Sequence, residues 1–203
     1  MSQADQITDI ATLEALYGTP GKASIIKVAD HMIPVYWDWI KRSKLCMLST
    51  VGPEGTDCSP RGDEGPVVHM LDDKTLLLPD WRGNNRMDSL RNIVRDGRVS
   101  LMFLVPGSNN VVRLNGTAVV STNADLIGRF TDRGNLPRSV IQITVQEVYS
   151  QCARALMRAG TWKAGDESAG LPTVGDMLKA MEADFDGATY DAEWATRASQ
   201  TMW

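Results

Sequence analysis

The chain has 203 residues, 43% of them hydrophobic and 23% charged, and a formal net charge of −4. This length favours one domain, or one domain with appendages, and the apolar fraction is too high for a disordered chain. The acidic balance argues against a nucleic-acid binder, no apolar run approaches the roughly 18–20 residues of a membrane helix, and the start Met1-Ser2-Gln3-Ala4-Asp5-Gln6 lacks the basic and apolar regions of a signal peptide.

Ile7, Ile10, Leu13, Leu16 and Tyr17 recur at helical spacing and predict a first helix, ended by Gly18, Pro20 and Gly21. A second helix is expected from about Asp30, as N-cap, to about Lys44, with Pro34 in its first turn and Ile33, Trp37 and Ile40 as apolar positions. The run 45–51 then reads as a strand that stops at the turn Gly52-Pro53-Glu54-Gly55. Extended segments follow at 57–62, 66–71 and 75–79, the last two joined by a tight Asp72-Asp73-Lys74 loop. After Gly83 the period returns to helix. Met87, Leu90, Ile93 and Val94 line one face, and Asp96-Gly97 closes it.

Val99 to Val105 is almost wholly apolar and predicts a strand buried on both faces. Pro106 to Asn110 turns the chain. In the next strand Val112, Leu114, Ala118 and Val120 alternate with polar residues, and Gly116 marks a bulge or a close backbone approach. Asn123 is expected to cap a short helix to about Phe130. A strand over about 139–149, a helix from Cys152 to about Ala159, a Gly- and Ser-rich loop or lid over 160–170, and helices over about 173–183 and 190–202 complete the chain. Short links imply antiparallel pairing. The expected fold is α+β: an antiparallel six- to seven-stranded split β-barrel with flanking N- and C-terminal helices. Three units are expected: an N-terminal helical segment over 1–43 packing on the barrel, the barrel itself over 44–150, and a C-terminal helical extension over 151–203.

Two polar clusters stand out. In Ser59-Pro60-Arg61-Gly62-Asp63, a hydroxyl and a guanidinium fork suit a phosphate, and Gly62 allows close approach of a planar ligand. In isolation the cluster also reads as a strand-edge arginine paired with Asp63 or Asp57. Arg82-Gly83-Asn84-Asn85-Arg86 precedes a helix, where free N–H groups attract anions; in isolation it also reads as a solvated loop with an Asn N-cap. The 72–74 hairpin is expected to bring these clusters together, so that two arginine sites would converge on one anion beside Leu78-Pro79-Asp80.

With these motifs the chain resembles the FMN-binding split barrel of the pyridoxamine 5'-phosphate oxidase-like proteins over 44–122. The resemblance is carried by Leu48-Ser49-Thr50-Val51 with its Gly-Pro-Glu-Gly turn, Cys58 to Asp63, Leu78 to Asp80, Gly83 to Ile93, and Arg113-Leu114-Asn115-Gly116. The stretch from Cys152 to Trp162 is similar to one bacterial subgroup, as is the Ser-Pro-Arg-Gly-Asp motif. The resemblance implies a homodimer with two FMN sites at its interface. Arg61 and Arg86 would hold the phosphate with Ser59, Asn84 and Asn85. Leu78, Pro79, Asp80, Gly62 and Asp63 would face the ring and ribityl chain. Arg154 and Trp162 would come from the second protomer. The implied activity is FMN-dependent hydride transfer to or from a small molecule, the flavin supplying the reactive group; separately, three cysteines far apart and odd in number point to a reducing cytoplasm.

The chain departs from the family in two places. Pyridoxamine-phosphate oxidases proper carry an Arg-x-His substrate clamp near the C-terminus, whereas here Arg197 is followed by Ala198-Ser199 and no histidine. Val111 or its neighbour stands where the oxidases have a flavin-contacting glutamine. The vitamin B6 reaction is therefore not assigned. A non-enzymatic dimer binding flavin or haem and a deazaflavin-dependent reductase are the alternatives, with an esterase built on His69 a distant further one. Cys46, Cys58 and Cys152 are expected to be buried thiols, no metal site is expected, and Trp81 is expected to line the ligand pocket.

Overall fold

A computed structural model describes residues 5–152 and 154–202, so Met1 to Ala4, Ala153 and Trp203 lie outside the described residues. Seven strands alternate with short turns: β1 (Leu45–Gly52), β2 (Gly55–Gly62), β3 (His69–Asp72), β4 (Thr75–Asp80), β5 (Arg98–Leu104), β6 (Val111–Ser121) and β7 (Ser139–Gln151). They form one sheet in the order β2-β1-β5-β6-β7-β4-β3, with every neighbouring pair antiparallel. The expected α+β split barrel is the fold observed.

The core lies inside the curled sheet, where alternate residues of each strand point inward. Leu48, Leu101, Phe103, Leu114, Ile141 and Ile143 are fully or almost fully buried there. β5 follows this alternation and is not buried on both faces: Val99, Leu101 and Phe103 point in, while Met102 is 37% exposed. An apolar run alone does not distinguish a two-sided strand from a one-sided one. In β6 the register shifts between Asn115 and Gly116, as the lone glycine predicts. A Cβ there would stand 2.1 Å from the Thr144 carbonyl oxygen.

The helices are α1 (Ile10–Tyr17), α2 (Lys22–Ile26), α3 (Pro34–Ile40), α4 (Asp88–Arg95), α5 (Ala124–Ile127), α6 (Arg154–Ala159), α7 (Val174–Met181), α8 (Gly187–Ala192) and α9 (Trp194–Thr201). α1 and α2 bury no residue, whereas α3 buries Ile40 and packs Tyr36, Trp37 and Trp39 against the core. α3 starts at Pro34 rather than at Asp30, because Asp30 is engaged otherwise: its carboxylate meets His31 Nδ1 at 2.7 Å and Lys74 Nζ at 3.3 Å. Asn123 caps α5 by accepting from the N–H groups of Asp125 and Leu126, and the helix stops at Ile127, short of Phe130. The expected 66–71 strand begins only at His69, although Val67 and Val68 are buried. The expected C-terminal helix over 190–202 is broken into α8 and α9 around Glu193. Cys46 is buried and its thiol is pushed up to about 12 by burial, but Cys58 and Cys152 are exposed, contrary to expectation. Among the described residues no helix is long and apolar enough to cross a membrane.

Candidate functional site

The sheet does not close through backbone hydrogen bonds. Its two ends are bridged by side chains. Asp57, Ser59 and Arg61 alternate along β2 and share the face turned toward α4 and the far end of the sheet. From that face Arg61 Nη1 donates to Asp80 Oδ1 of β4 at 2.8 Å, with side chains 22% and 15% exposed respectively. Just beyond β2, Asp63 Oδ2 accepts from Trp81 Nε1 at 2.9 Å. The partner of Arg61 is thus Asp80, not the Asp57 or Asp63 that proximity in sequence offers.

Arg61 Nε is buried and has no hydrogen-bond partner among the described residues. Beside it lie two cavities. One, of about 300 Å³, is lined by Arg61, Asp80, Asn84, Asn85 and Arg138, among others. The other, of about 480 Å³, is lined by Arg61, Gly62, Asp63, Leu78, Pro79 and Trp81, among others. The pairing of β4 explains the exposure of this edge. β3 reaches β4 only as far as Leu77, whereas β7 pairs it through Asp80. Leu78, Pro79 and Asp80 therefore carry strand partners on one side only.

The sequence motifs are partly assembled here. Arg61, Gly62, Asp63, Leu78, Pro79, Asp80, Asn84 and Asn85 line the two cavities. Ser59 stands one step away, its Oγ 3.0 Å from Ser89 Oγ, which in turn donates to Asp57 Oδ2 at 2.6 Å. Arg86 does not converge with Arg61. Its Nε donates to Asp88, it is 78% exposed, and it lines a separate cavity with Arg91 and Arg95. The reason is local: α4 begins only at Asp88, after Met87 in a left-handed conformation, and a carboxylate two residues on captures the guanidinium. Asn84 and Asn85 are accordingly loop residues rather than N-caps. Asn84 Oδ1 accepts from Arg86 N at 3.0 Å and Asn85 Oδ1 from Arg138 Nη1 at 2.8 Å. Val94, expected on the buried face of α4, is 75% exposed, and Ser89, Asn92 and Ile93 are buried instead.

Arg154 and Trp162 lie outside both cavities. Trp162 Nε1 donates to the Ser108 carbonyl in the β5–β6 turn at 2.7 Å. Arg138 is the site residue that motif reading missed. It enters because Asp80 pairs with Ser139, and its own N–H donates to the Asp80 carbonyl at 3.3 Å. Its signal was only its place at the start of a long strand. Among the described residues no cluster of three or more His, Cys, Asp and Glu side chains is arranged to hold a metal ion.

A family model described as pyridoxamine 5'-phosphate oxidase matches residues 33–152. No curated protein matches. Among solved structures, HupZ of Group A Streptococcus aligns at 21% identity with a TM-score of 0.48, covering 59% of this chain and 94% of that one. An FMN-binding protein of Syntrophomonas wolfei aligns at 12% identity with a TM-score of 0.43, covering 70% and 96%. The FAD binding protein of Mycobacterium smegmatis aligns at 12% identity with a TM-score of 0.41, covering 61% and 97%.

Proposed function

The chain belongs to the pyridoxamine 5'-phosphate oxidase family, and from that premise we propose that it is an FMN-binding oxidoreductase acting on a small molecule, with the cofactor phosphate seated on Arg61. The observation that carries this reading is the buried, unpartnered Nε of Arg61 at the edge of two open cavities. A buried N–H without an acceptor costs on the order of 1–3 kcal/mol, and an anionic oxygen removes that cost. The residues fit the group. Arg61 and Arg138 bring two guanidinium groups to the smaller cavity against the single carboxylate of Asp80, and Asn84 and Asn85 add neutral polar groups.

Each part has a physical task. Arg61 holds the phosphate by charge and by its fork, which a lysine would not reproduce. Asp80 fixes the orientation of that fork. The one-sided edge at Leu78, Pro79 and Asp80, with Gly62, Asp63 and Trp81 around it, bounds the space for the ring and ribityl chain. FMN, when bound, supplies the hydride and electron chemistry. The chain binds it, orients it and keeps water from its faces. The same reading takes the protein as a cytoplasmic homodimer with two sites at the interface, where Arg154 and Trp162 of the second copy complete each site. It also takes 1–43, 44–150 and 151–203 as the helical, cofactor-binding and interface units.

The test is a visible spectrum of the purified protein followed by titration with FMN. The expected result is flavin absorbance or stoichiometric uptake at micromolar FMN. Arg61→Glu is expected to weaken binding about 30-fold or more, since truncating one partner of a buried charge pair costs roughly 2–5 kcal/mol. No uptake by the parent protein overturns the cofactor; unchanged affinity in the variant removes Arg61 from the site.

A further inference from the structure

Residues 5–28 form an arm ahead of the barrel, and most of its apolar side chains stay uncovered among the described residues. α1 is apolar on nearly every side, with Glu14 its one charged residue, yet Ile10 is 68%, Leu16 67% and Tyr17 79% exposed. A helix of that kind is normally buried. Ile25, Ile26 and Val28 continue the exposed apolar surface through and just past α2. Near the other end of the chain α6 also buries no residue, and Met157 stands exposed on it. We propose that the arm is exchanged between two copies of this chain, α1 of one copy lying on α6 of the other.

Charge selects the occupant. From Asp5 to Gly21 the arm carries Asp5, Asp9 and Glu14 and no lysine or arginine. From Arg154 to Gly165 the chain carries Arg154, Arg158 and Lys163 and no carboxylate side chain. Glu14, Arg154, Arg158 and Lys163 join no ion pair among the described residues. Each surface thus offers apolar area together with charges of the sign the other lacks, the pattern that steers an interface and fixes its register. An anionic lipid surface, the other apolar environment open to such an arm, repels its carboxylates.

Topology makes the exchange symmetric. The arm is rooted where Ala29 pairs with Val148 of β7, Ala29 N donating to the Val148 carbonyl at 3.0 Å and Val148 N to the Ala29 carbonyl at 2.8 Å. β7 runs on only to Gln151, and α6 begins at Arg154. Arm and α6 therefore leave the sheet at the same end of β7. The bond from Trp162 to the Ser108 carbonyl holds the chain that follows α6. By their rise per residue α1 is about 12 Å long and α6 about 9 Å, so one can cover the other. A two-fold axis beside that end makes both contacts at once, each copy giving an arm and receiving one. The inference rests on the homodimer proposed above, in which α6 already faces the second copy through Arg154, and not on its cofactor.

The experiment is amide hydrogen exchange of the full-length protein, with sedimentation to fix its oligomeric state. An uncovered helix as short as α1 is marginal in water, so its amides exchange at nearly the free-chain rate unless something packs on it. In the dimer, exchange over residues 10–17 is expected to be slowed at least about tenfold. Glu14→Arg and Arg158→Glu, each on an exposed side chain, are each expected to remove about tenfold of that protection, because attraction turns into like-charge repulsion. Co-expressed under two affinity tags and purified as the mixed dimer, the two variants should regain parent-like protection of both arms. Only contact across the dimer then sets each arm against an opposite charge; an arm folded onto its own α6 would stay repelled. Fast exchange of α1 in a sedimenting dimer, protection insensitive to both reversals, or protection not restored in the mixed dimer overturns the inference and leaves the homodimer standing. A parent protein that sediments as a monomer overturns both. Protection that appears only with phosphatidylcholine vesicles assigns the arm to a membrane and also overturns the inference. FMN uptake by the same samples tests the flavin reading separately.

Discussion

His69 stands on β3 with its ring set edge-on to Phe130, centroids 5.0 Å apart and planes at 82°. Burial holds its pKa below the usual histidine value, and the charge of Asp63 opposes that shift only in part. A depressed folded-state value means that the unfolded chain takes up the proton first. Stability is therefore expected to fall as the pH drops through the ordinary value near 6.5 toward the lower folded one, and to level off below it. Urea midpoints measured from about pH 7.5 to about pH 5, a range that extends further below the ordinary value than above it, check this, and His69→Gln should flatten that part of the profile. Parallel profiles in the two proteins would remove His69 as the source. The same residue-by-residue physics decides how much of the site is legible in sequence. Ser59 to Asp63 is recognisable because strand alternation puts Ser59 and Arg61 on one face. The partner Asp80 is not recognisable, because it arrives by closure of the sheet. Arg86 misleads for the opposite reason: Asp88 is too near in sequence to lose the competition for its guanidinium.

At the scale of single elements, the best-read features are those whose cause is local. Asn123 caps α5 through its own side chain, and Gly116 marks the β6 bulge because only a residue without Cβ admits the Thr144 carbonyl so closely. Gly116→Ala is expected to destabilise the protein by about 3 kcal/mol, the upper end of overpacking penalties, since the obstructing atom is backbone and cannot rotate away. A denaturation midpoint that falls at constant m-value checks it; a loss under about 0.5 kcal/mol would mean that the bulge yields freely. Features with non-local causes are read poorly. The apolar content of β5 hides a one-sided strand, because Met102 is apolar whichever way it points. The five residues of α2 are too few for a period to register. The split between α8 and α9 follows a tight packing of α7 on α8, where Gly175 N donates to Asp191 Oδ1 at 2.9 Å and its Cα approaches the Gly187 carbonyl too closely to allow a Cβ.

On the scale of the whole molecule, the open seam of the barrel links ligand to fold. β2 and β4 lie near opposite ends of the seven-stranded order, and side-chain bonds join their ends: Arg61 to Asp80 and, just past both strands, Asp63 to Trp81. An anion held by Arg61 and by Arg138, which leads into β7, grips both margins of that seam. Its binding is therefore coupled to global unfolding rather than to the ordering of one loop. The acidic chain, with a net charge of −4, can host it because Arg61 and Arg138 both line the smaller cavity against the single carboxylate of Asp80. A ligand at 100 times its dissociation constant adds about 2.7 kcal/mol to stability. For a chain of this size that corresponds to a rise in Tm of roughly 5–10 °C. FMN at that excess is expected to raise Tm by this amount when unfolding is followed by far-UV circular dichroism, and Arg61→Glu, with affinity about 30-fold weaker or more, should keep at most about a third of the rise. A flavin that binds tightly yet leaves the β-sheet transition in place would mean that it sits away from the seam, and that Arg61 joins the two margins of the barrel for structural reasons alone.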